Sequence, residues 1–254
     1  MFVEFIKGAA VAVFLCVGLN AAQAAEIRVF ASTALKSTFD EIGPVFEQRT
    51  GHKLILPYYS SADTRKRMKA GEAFDVAITE FDAFQELVRE GVTVADPVSV
   101  IAVNAVQLAW PAAGPKPDFS TVEKLKSVLL AAKSISYSDP ALGGGSSVYF
   151  QSLIERLGIA DAVRAKEVKA KSGQGAMPVA EGKAEIGVAQ ASEIVTLKSL
   201  SAEAIMPDDP KSRSIYGVGA SSKSGNLAAA REFVAFLKSP EGTAAMRKNG
   251  LSPN

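Results

Sequence analysis

The stretch "SVIAVNAVQLAWP", residues 99–111, decides how the chain is organised. It is extended and largely apolar, with no helical period. It is also longer than an ordinary strand of about 5–6 residues. Such a segment reads as a strand that leaves one folded unit and enters a second. Before it, strands and helices alternate. "EIRVFAS" (26–32), "KLILPYY" (53–59) and "FDVAIT" (74–79) read as strands. Between them lie a helix on Leu35, Phe39, Ile42 and Phe46, stopped by Gly51, and a short helix over "SSADTRKRMKAG" (60–71); "FDAFQELVREG" (81–91) is a further helix. Pro44 should kink the first helix or start a new turn. This βαβαβα order predicts a mostly parallel sheet covered by helices.

After the long segment, "GPKPD" (114–118) is a surface loop, "TVEKLKSVLLAA" (121–132) a helix and "SISYSD" (134–139) a strand. A glycine-rich helix entrance follows, then a polar segment, a helix start in "SGQGAMPVAEG" (172–182) and a strand in "AEIGVAQAS" (184–192). "SIYGVGAS" (214–221) is the second crossing segment, and two C-terminal helices close the chain, the last begun by Ser239-Pro240-Glu241. The fold class expected is α/β, with two α/β lobes joined by two crossing strands and a ligand cleft between them. Residues 25–104 with 217–254 form the first lobe and 105–216 the second.

Residues 1–24 differ from the rest. Lys7, an apolar run from Gly8 to Leu19 and Ala22-Gln23-Ala24 make a secretory signal peptide cut after Ala24. The apolar run is too short for a comfortable membrane span, so a periplasmic location is expected. Cys16, the only cysteine, lies in that leader, so the mature chain has neither disulfide nor thiolate metal site. His52, the only histidine, starts a strand and reads as structural. A net charge of +1 gives no footprint for nucleic acid, and no cofactor is expected.

The polar residues gather where an open α/β sheet collects ligands, beyond the carboxyl ends of its strands. Ser32, Thr33 and Ala34 follow the first strand, and Ser60 and Ser61 the second. "GGGSS" (143–147) follows "SISYSD", Ser172 and Gln174 precede a short helix, and Gln190 ends "IGVAQ". Helix N-termini carry free N–H donors and a partial positive charge, which bind anions without lysine or arginine. Glycine permits a close backbone approach and serine adds a small donor. Together these places read as a receptor for a small anion.

The blocks "IRVFASTALKSTFDEIGPVFEQRTGHKL", "YYSSADTRKRMKAGEAFDVAITE", "SDPALGGGSSVYFQSLIERLG" and "GKAEIGVAQASEI" resemble the molybdate-binding periplasmic proteins of ABC transporters. The resemblance implies a type II periplasmic-binding fold that closes on its ligand and hands it to an ABC permease. It also implies a tetrahedral oxyanion held by Ser hydroxyls, backbone N–H groups and a Tyr hydroxyl. Ser61 keeps the second-turn serine, whereas Ala34 takes the place of the first-turn serine and Gln190 that of the tyrosine. The backbone donor of the glycine stretch falls at Gly145 or Ser146, and Ser172 takes another backbone position. The two replacements leave open a somewhat larger solute such as a small organic acid, for which Lys36 and Arg65 are candidate partners. By analogy the mature protein is a monomer.

An enzyme on the same scaffold, a hydrolase foremost, is the competing expectation. The chain has no G-x-S-x-G, S-x-x-K, H-E-x-x-H or P-loop pattern. Asp139-Pro140 reads as a turn and Asp63 as a first-turn helix charge. The expectation is therefore a non-catalytic receptor, whether for transport or for signalling.

Overall fold

The computed structural model describes residues 24–254 apart from Pro97 and Pro207; the leader lies outside the described residues except for Ala24. The first lobe opens with β1 (Glu26–Ser32), a 3-10 turn (Thr33–Leu35) and α1 (Lys36–Thr50), then β2 (Lys53–Ile55) and β3 (Tyr58–Tyr59). It continues through α2 (Ser61–Lys69), β4 (Val76–Glu80) and α3 (Asp82–Arg89). β5 (Ser99–Pro111) leads into the second lobe, built of α4 (Val122–Ala131), β6 (Ile135–Ser138), α5 (Gly145–Arg156), α6 (Ala160–Arg164) and β7 (Glu167–Ala170). α7 (Met177–Ala180), β8 (Ile186–Gln190), α8 (Ala191–Ile194) and β9 (Leu200–Ala204) complete it. The chain returns through β10 (Arg213–Ala220) to α9 (Leu227–Leu237), α10 (Pro240–Lys248) and β11 (Ser252–Pro253).

The strands run β2-β1-β4-β10-β5-β8-β6-β7 along one hydrogen-bonded path. β5 spans both lobes, as its length predicts. Residues 99–105 pair antiparallel with β10, while 106–111 pair antiparallel with β8 and β9. β1, β2 and β4 are mutually parallel on one side, and β6, β7 and β8 on the other.

Alternation along the strands sends side chains into separate cores. Ile27, Val29, Val76 and Ile78 face α1, α9 and α10 in one cluster, whereas Phe30 and Ala77 face α2 and α3 in another. In the second lobe Val106, Leu108, Ile186 and Val188 pack against α4, α5 and α6, and Ala109 and Ala189 against α7 and α8. Each half of the sheet is thus covered on both faces, which is why its parallel strands are nearly continuously apolar.

Several local expectations change. α1 runs unbroken from Lys36 to Thr50 through Pro44. Pro44 and Asp40 are both exposed, so the carbonyl deprived of its donor can be hydrated. "KLILPYY" divides at Leu56-Pro57 into β2 and β3, since Pro57 lacks the N–H that a ladder needs; both pieces still pair with β1. The polar stretch after α6 contains β7, whose alternating charges mark a sheet-edge strand.

Candidate functional site

The carboxyl ends of β1, β4, β6 and β8, together with the start of β10, meet where the lobes face each other. Their last residues are Ser32, Glu80, Ser138 and Gln190. β10 is antiparallel to β4, so its beginning lies at the same edge and Tyr216 sits opposite Glu80.

Gln190 is at the centre and is 2% exposed. Its carbonyl accepts from Asn104 Nδ2 at 2.9 Å and from the Tyr216 hydroxyl at 2.8 Å, and its Nε2 donates to Ser214 Oγ at 2.7 Å. Asn104 also donates to Ser192 Oγ at 2.8 Å, and its own carbonyl accepts from Ser192 N at 3.3 Å. Buried polar groups of this kind need partners, and here they supply one another across β5, β8 and β10. Burial raises the Tyr216 hydroxyl above its ordinary value, with an opposing hydrogen bond to Ser32.

Two carboxyls border this network. Burial pushes Glu193 up to about 7, although its Oε2 accepts the Gln190 backbone N–H at 3.1 Å, which favours the ionised form. Burial also raises Glu80; Arg65 opposes that shift and Asp82 adds to it.

The glycine stretch is explained by close approach, to the first lobe at Ala62 and Glu80 and within the second lobe at Ser214 and Gln190. Gly143 is left-handed at φ 70°, and a Cβ there would lie 2.4 Å from the Ala62 Cβ. A Cβ on Gly145 would lie 2.6 Å from Ser214 Oγ and 3.2 Å from both Gln190 Nε2 and Glu80 Oε1. The sequence suggests a backbone brought close to a ligand; the structure brings it close to α2 and β10. Gly144 caps α5 without a side-chain hydrogen bond.

The remaining candidates distribute around this contact. Thr33, Ser60 and Ser172 line one cleft of about 440 Å³ together with Tyr58 and Lys66. Gly145 lines a second cleft, about 690 Å³, with Arg65, Glu80 and Ser214. Ser61 and Ser146, at the first turns of α2 and α5, are buried at 4% and 7% exposure. Among the described residues neither hydroxyl has a hydrogen-bond partner in the chain. Ser60 Oγ is spent on capping α2, accepting Asp63 N at 3.2 Å. The Ala34 N–H donates to Ser32 Oγ at 3.3 Å. Gln174 is exposed and lines neither cleft.

The two cations singled out as carboxylate partners differ. Lys36 pairs with Asp40 at 2.6 Å and lies over the Tyr58 ring, whereas Arg65 lines the second cleft. His52 is structural: Nδ1 accepts from Ala25 N at 3.0 Å and Nε2 lies 3.3 Å from Glu232. Asp139 caps its turn by accepting from Ala141 N, and Asp63 pairs with Arg67 at 3.0 Å.

Sequence reasoning missed Asn104, Ser214, Tyr216 and Glu80. Glu80 directly follows the strand read as ending at Thr79, and the strand-end rule would reach it. The others belong to the antiparallel strands β5 and β10, for which a rule about carboxyl ends of parallel strands says nothing.

Residues 27–252 match the family described as bacterial extracellular solute-binding protein. The chain belongs to that family. Similar proteins include the molybdate-binding protein ModA of Azotobacter vinelandii, 31% identical over 178 residues, covering 68% of each chain. Another is an aconitate isomerase of a Pseudomonas species, 28% identical over 233 residues, covering 89% of this chain and 87% of that one. Among solved structures, the A. vinelandii periplasmic molybdate-binding protein superposes with a TM-score of 0.72 at 20% identity, over 89% of this chain and 98% of that one. The family membership and these relatives make the chain a solute-binding protein of the ABC-transporter type. Among the described residues no helix is long and apolar enough to cross a membrane.

Proposed function

We propose that the mature chain captures a small anionic solute between its lobes, residues 25–104 with 217–254 and residues 105–216, and presents it to an ABC permease in the periplasm. The supporting observation is the pair Ser61 and Ser146. Each is a largely buried serine at a helix start whose hydroxyl makes no hydrogen bond in the chain yet still reaches the surface, so it is open to a solute entering between the lobes. Ser61 belongs to the first lobe and Ser146 to the second, so one ligand bonded to both favours the closed arrangement. The backbone N–H groups of Gly145 and Ser172, with Thr33 at the cleft wall, complete a donor set suited to oxygen-rich anions.

Donors alone suit a molybdate-like oxyanion, which carries no proton at neutral pH. Burial raises both Glu80 and Glu193, the latter to about 7, and a carboxyl that can hold a proton near neutral pH favours a solute that shares one, such as a small carboxylic acid. A thermal-shift screen of the mature chain with molybdate, tungstate, sulfate and small carboxylates tests the reading, because a ligand that binds only the folded state raises its stability. A shift with any of these anions supports anion capture, and no shift with any of them refutes it.

A second reading is favoured by the aconitate isomerase relative and by Glu193 near 7. A carboxyl poised near neutral pH suits a base that takes a proton from a carbon beside a carboxylate and returns it at another position. No oxidant or reductant is needed. Incubating the mature chain with aconitate in heavy water and following carbon-bound deuterium by NMR decides it: incorporation supports an isomerase, and none above the buffer control leaves the receptor reading alone.

A further inference from the structure

The two carboxyls that burial raises at the site are not equivalent. Glu193 is committed within the second lobe, where its Oε2 accepts the Gln190 backbone N–H at 3.1 Å. Glu80, the last residue of β4, is half-buried and lines the cleft of about 690 Å³. Among the described residues its side chain makes no hydrogen bond or ion pair.

Glu80 also stands between the two serines of the donor set. Its neighbour Thr79 donates to the Ser61 carbonyl at 3.4 Å, and a Cβ on Gly145, next to Ser146, would lie 3.2 Å from Glu80 Oε1. The carboxyl thus reaches from the first lobe to the head of α5, which Gly144 leaves without a side-chain cap. An anion drawn to the first turn of α5 has this carboxyl at its flank. Two ionised acceptors repel there, and neither has a hydrogen to offer. One proton between them turns the repulsion into a charge-assisted hydrogen bond.

Of the charges that face Glu80, Arg65 on α2 favours the ionised carboxylate, while burial and Asp82 at the head of α3 oppose it. Lys211 and Arg213 line the same cleft, and Tyr216, opposite Glu80 on β10, gives its hydroxyl to Gln190.

We propose that Glu80 is the specificity-determining residue of the cleft. It accepts a hydrogen bond from the solute and so selects anions that carry an O–H over acceptor-only oxyanions such as sulfate and molybdate. The O–H is either the proton of an incompletely ionised oxyacid or a hydroxyl beside a carboxylate. This rests on the reading of the chain as an anion-capturing protein and names the feature its solute must have.

Titration calorimetry of the mature chain at pH 8 with two matched pairs tests it, repeated on Glu80→Gln. Hydrogenphosphate against sulfate differs by a proton on one tetrahedral shape, and lactate against propionate differs by a hydroxyl, so the pairs separate the two sources of the O–H. In at least one pair the O–H member should bind at least roughly a hundredfold tighter than its partner, with molybdate following sulfate. The glutamine amide both donates and accepts, so Glu80→Gln should narrow that gap at least roughly tenfold by admitting the acceptor-only member. Sulfate or molybdate bound by the wild-type chain as tightly as the best O–H anion would overturn the selectivity and leave anion capture standing. A gap unchanged in Glu80→Gln would overturn the role of Glu80. A wild-type chain that binds none of the probes would overturn both. Far-ultraviolet circular dichroism checks the fold of the variant, and the wild-type ranking decides the selectivity without it.

Discussion

The Gln190 side-chain amide donates to Ser214 Oγ at 2.7 Å while its carbonyl accepts from Asn104 and Tyr216. One residue at the end of β8 thus satisfies three buried groups on β5 and β10. Gln190→Ala should cost about 2–3 kcal/mol of folding stability, because the partners left behind stay buried. Urea unfolding measures this. A loss below about 0.5 kcal/mol would mean that water replaces the amide and that the network is dispensable.

Ser61→Ala should behave in the opposite way. The hydroxyl makes no bond in the chain, so stability without ligand should change by less than about 0.5 kcal/mol. Affinity for the bound anion should fall by about 1–3 kcal/mol. Calorimetry that finds the affinity unchanged removes Ser61 from the site.

Gly145→Ala tests closure. The added carbon would lie 2.6 Å from Ser214 Oγ within the second lobe and 3.2 Å from Glu80 Oε1 of the first, so it intrudes where the lobes meet. The variant should fold normally and bind its anion at least roughly tenfold more weakly, about 1.4 kcal/mol. Wild-type affinity would show that the close approach of Gly145 to Glu80 is no part of the bound state.

Glu193 sets a pH dependence. Its carboxyl is raised from an ordinary 4.5 to about 7 by burial, against the Gln190 N–H. The folded chain keeps a proton that the unfolded chain has released. This contribution is therefore fully present below about 4.5, is lost as pH rises toward about 7, and is level above it. Its size is roughly 1–3 kcal/mol after allowance for partial exposure. Glu193→Gln keeps an oxygen for the Gln190 N–H and should be more stable than wild type at pH 8. Parallel stability profiles for the two proteins between pH 4.5 and 8 would rule Glu193 out as the titrating group.

The architecture was legible because β5 and the apolar alternation of β1, β4 and β8 are patterns that only a covered, lobe-spanning sheet explains. The helix starts at Ser60-Ser61 and Gly145-Ser146 were legible for the same local reason: small polar residues follow a strand. What stayed hidden depends on contacts distant in sequence. Asn104 and Gln190 are 86 residues apart, and nothing in either local stretch predicts their bond. Arg65 is one of several cations in "RKRMK". Only the cleft it lines, and its effect on Glu80 there, set it apart. The glycines read as room for a ligand, yet Gly143 first makes room for Ala62 across the cleft and Gly145 for Ser214 beside it and Glu80 opposite.

Small-angle scattering of the mature chain, with and without a saturating amount of the anion that gives the largest thermal shift, tests the central claim most directly. Capture between two closing lobes predicts a smaller radius of gyration with the anion bound, and no such change in Gly145→Ala. An identical scattering curve with and without bound anion in the wild-type chain would contradict it.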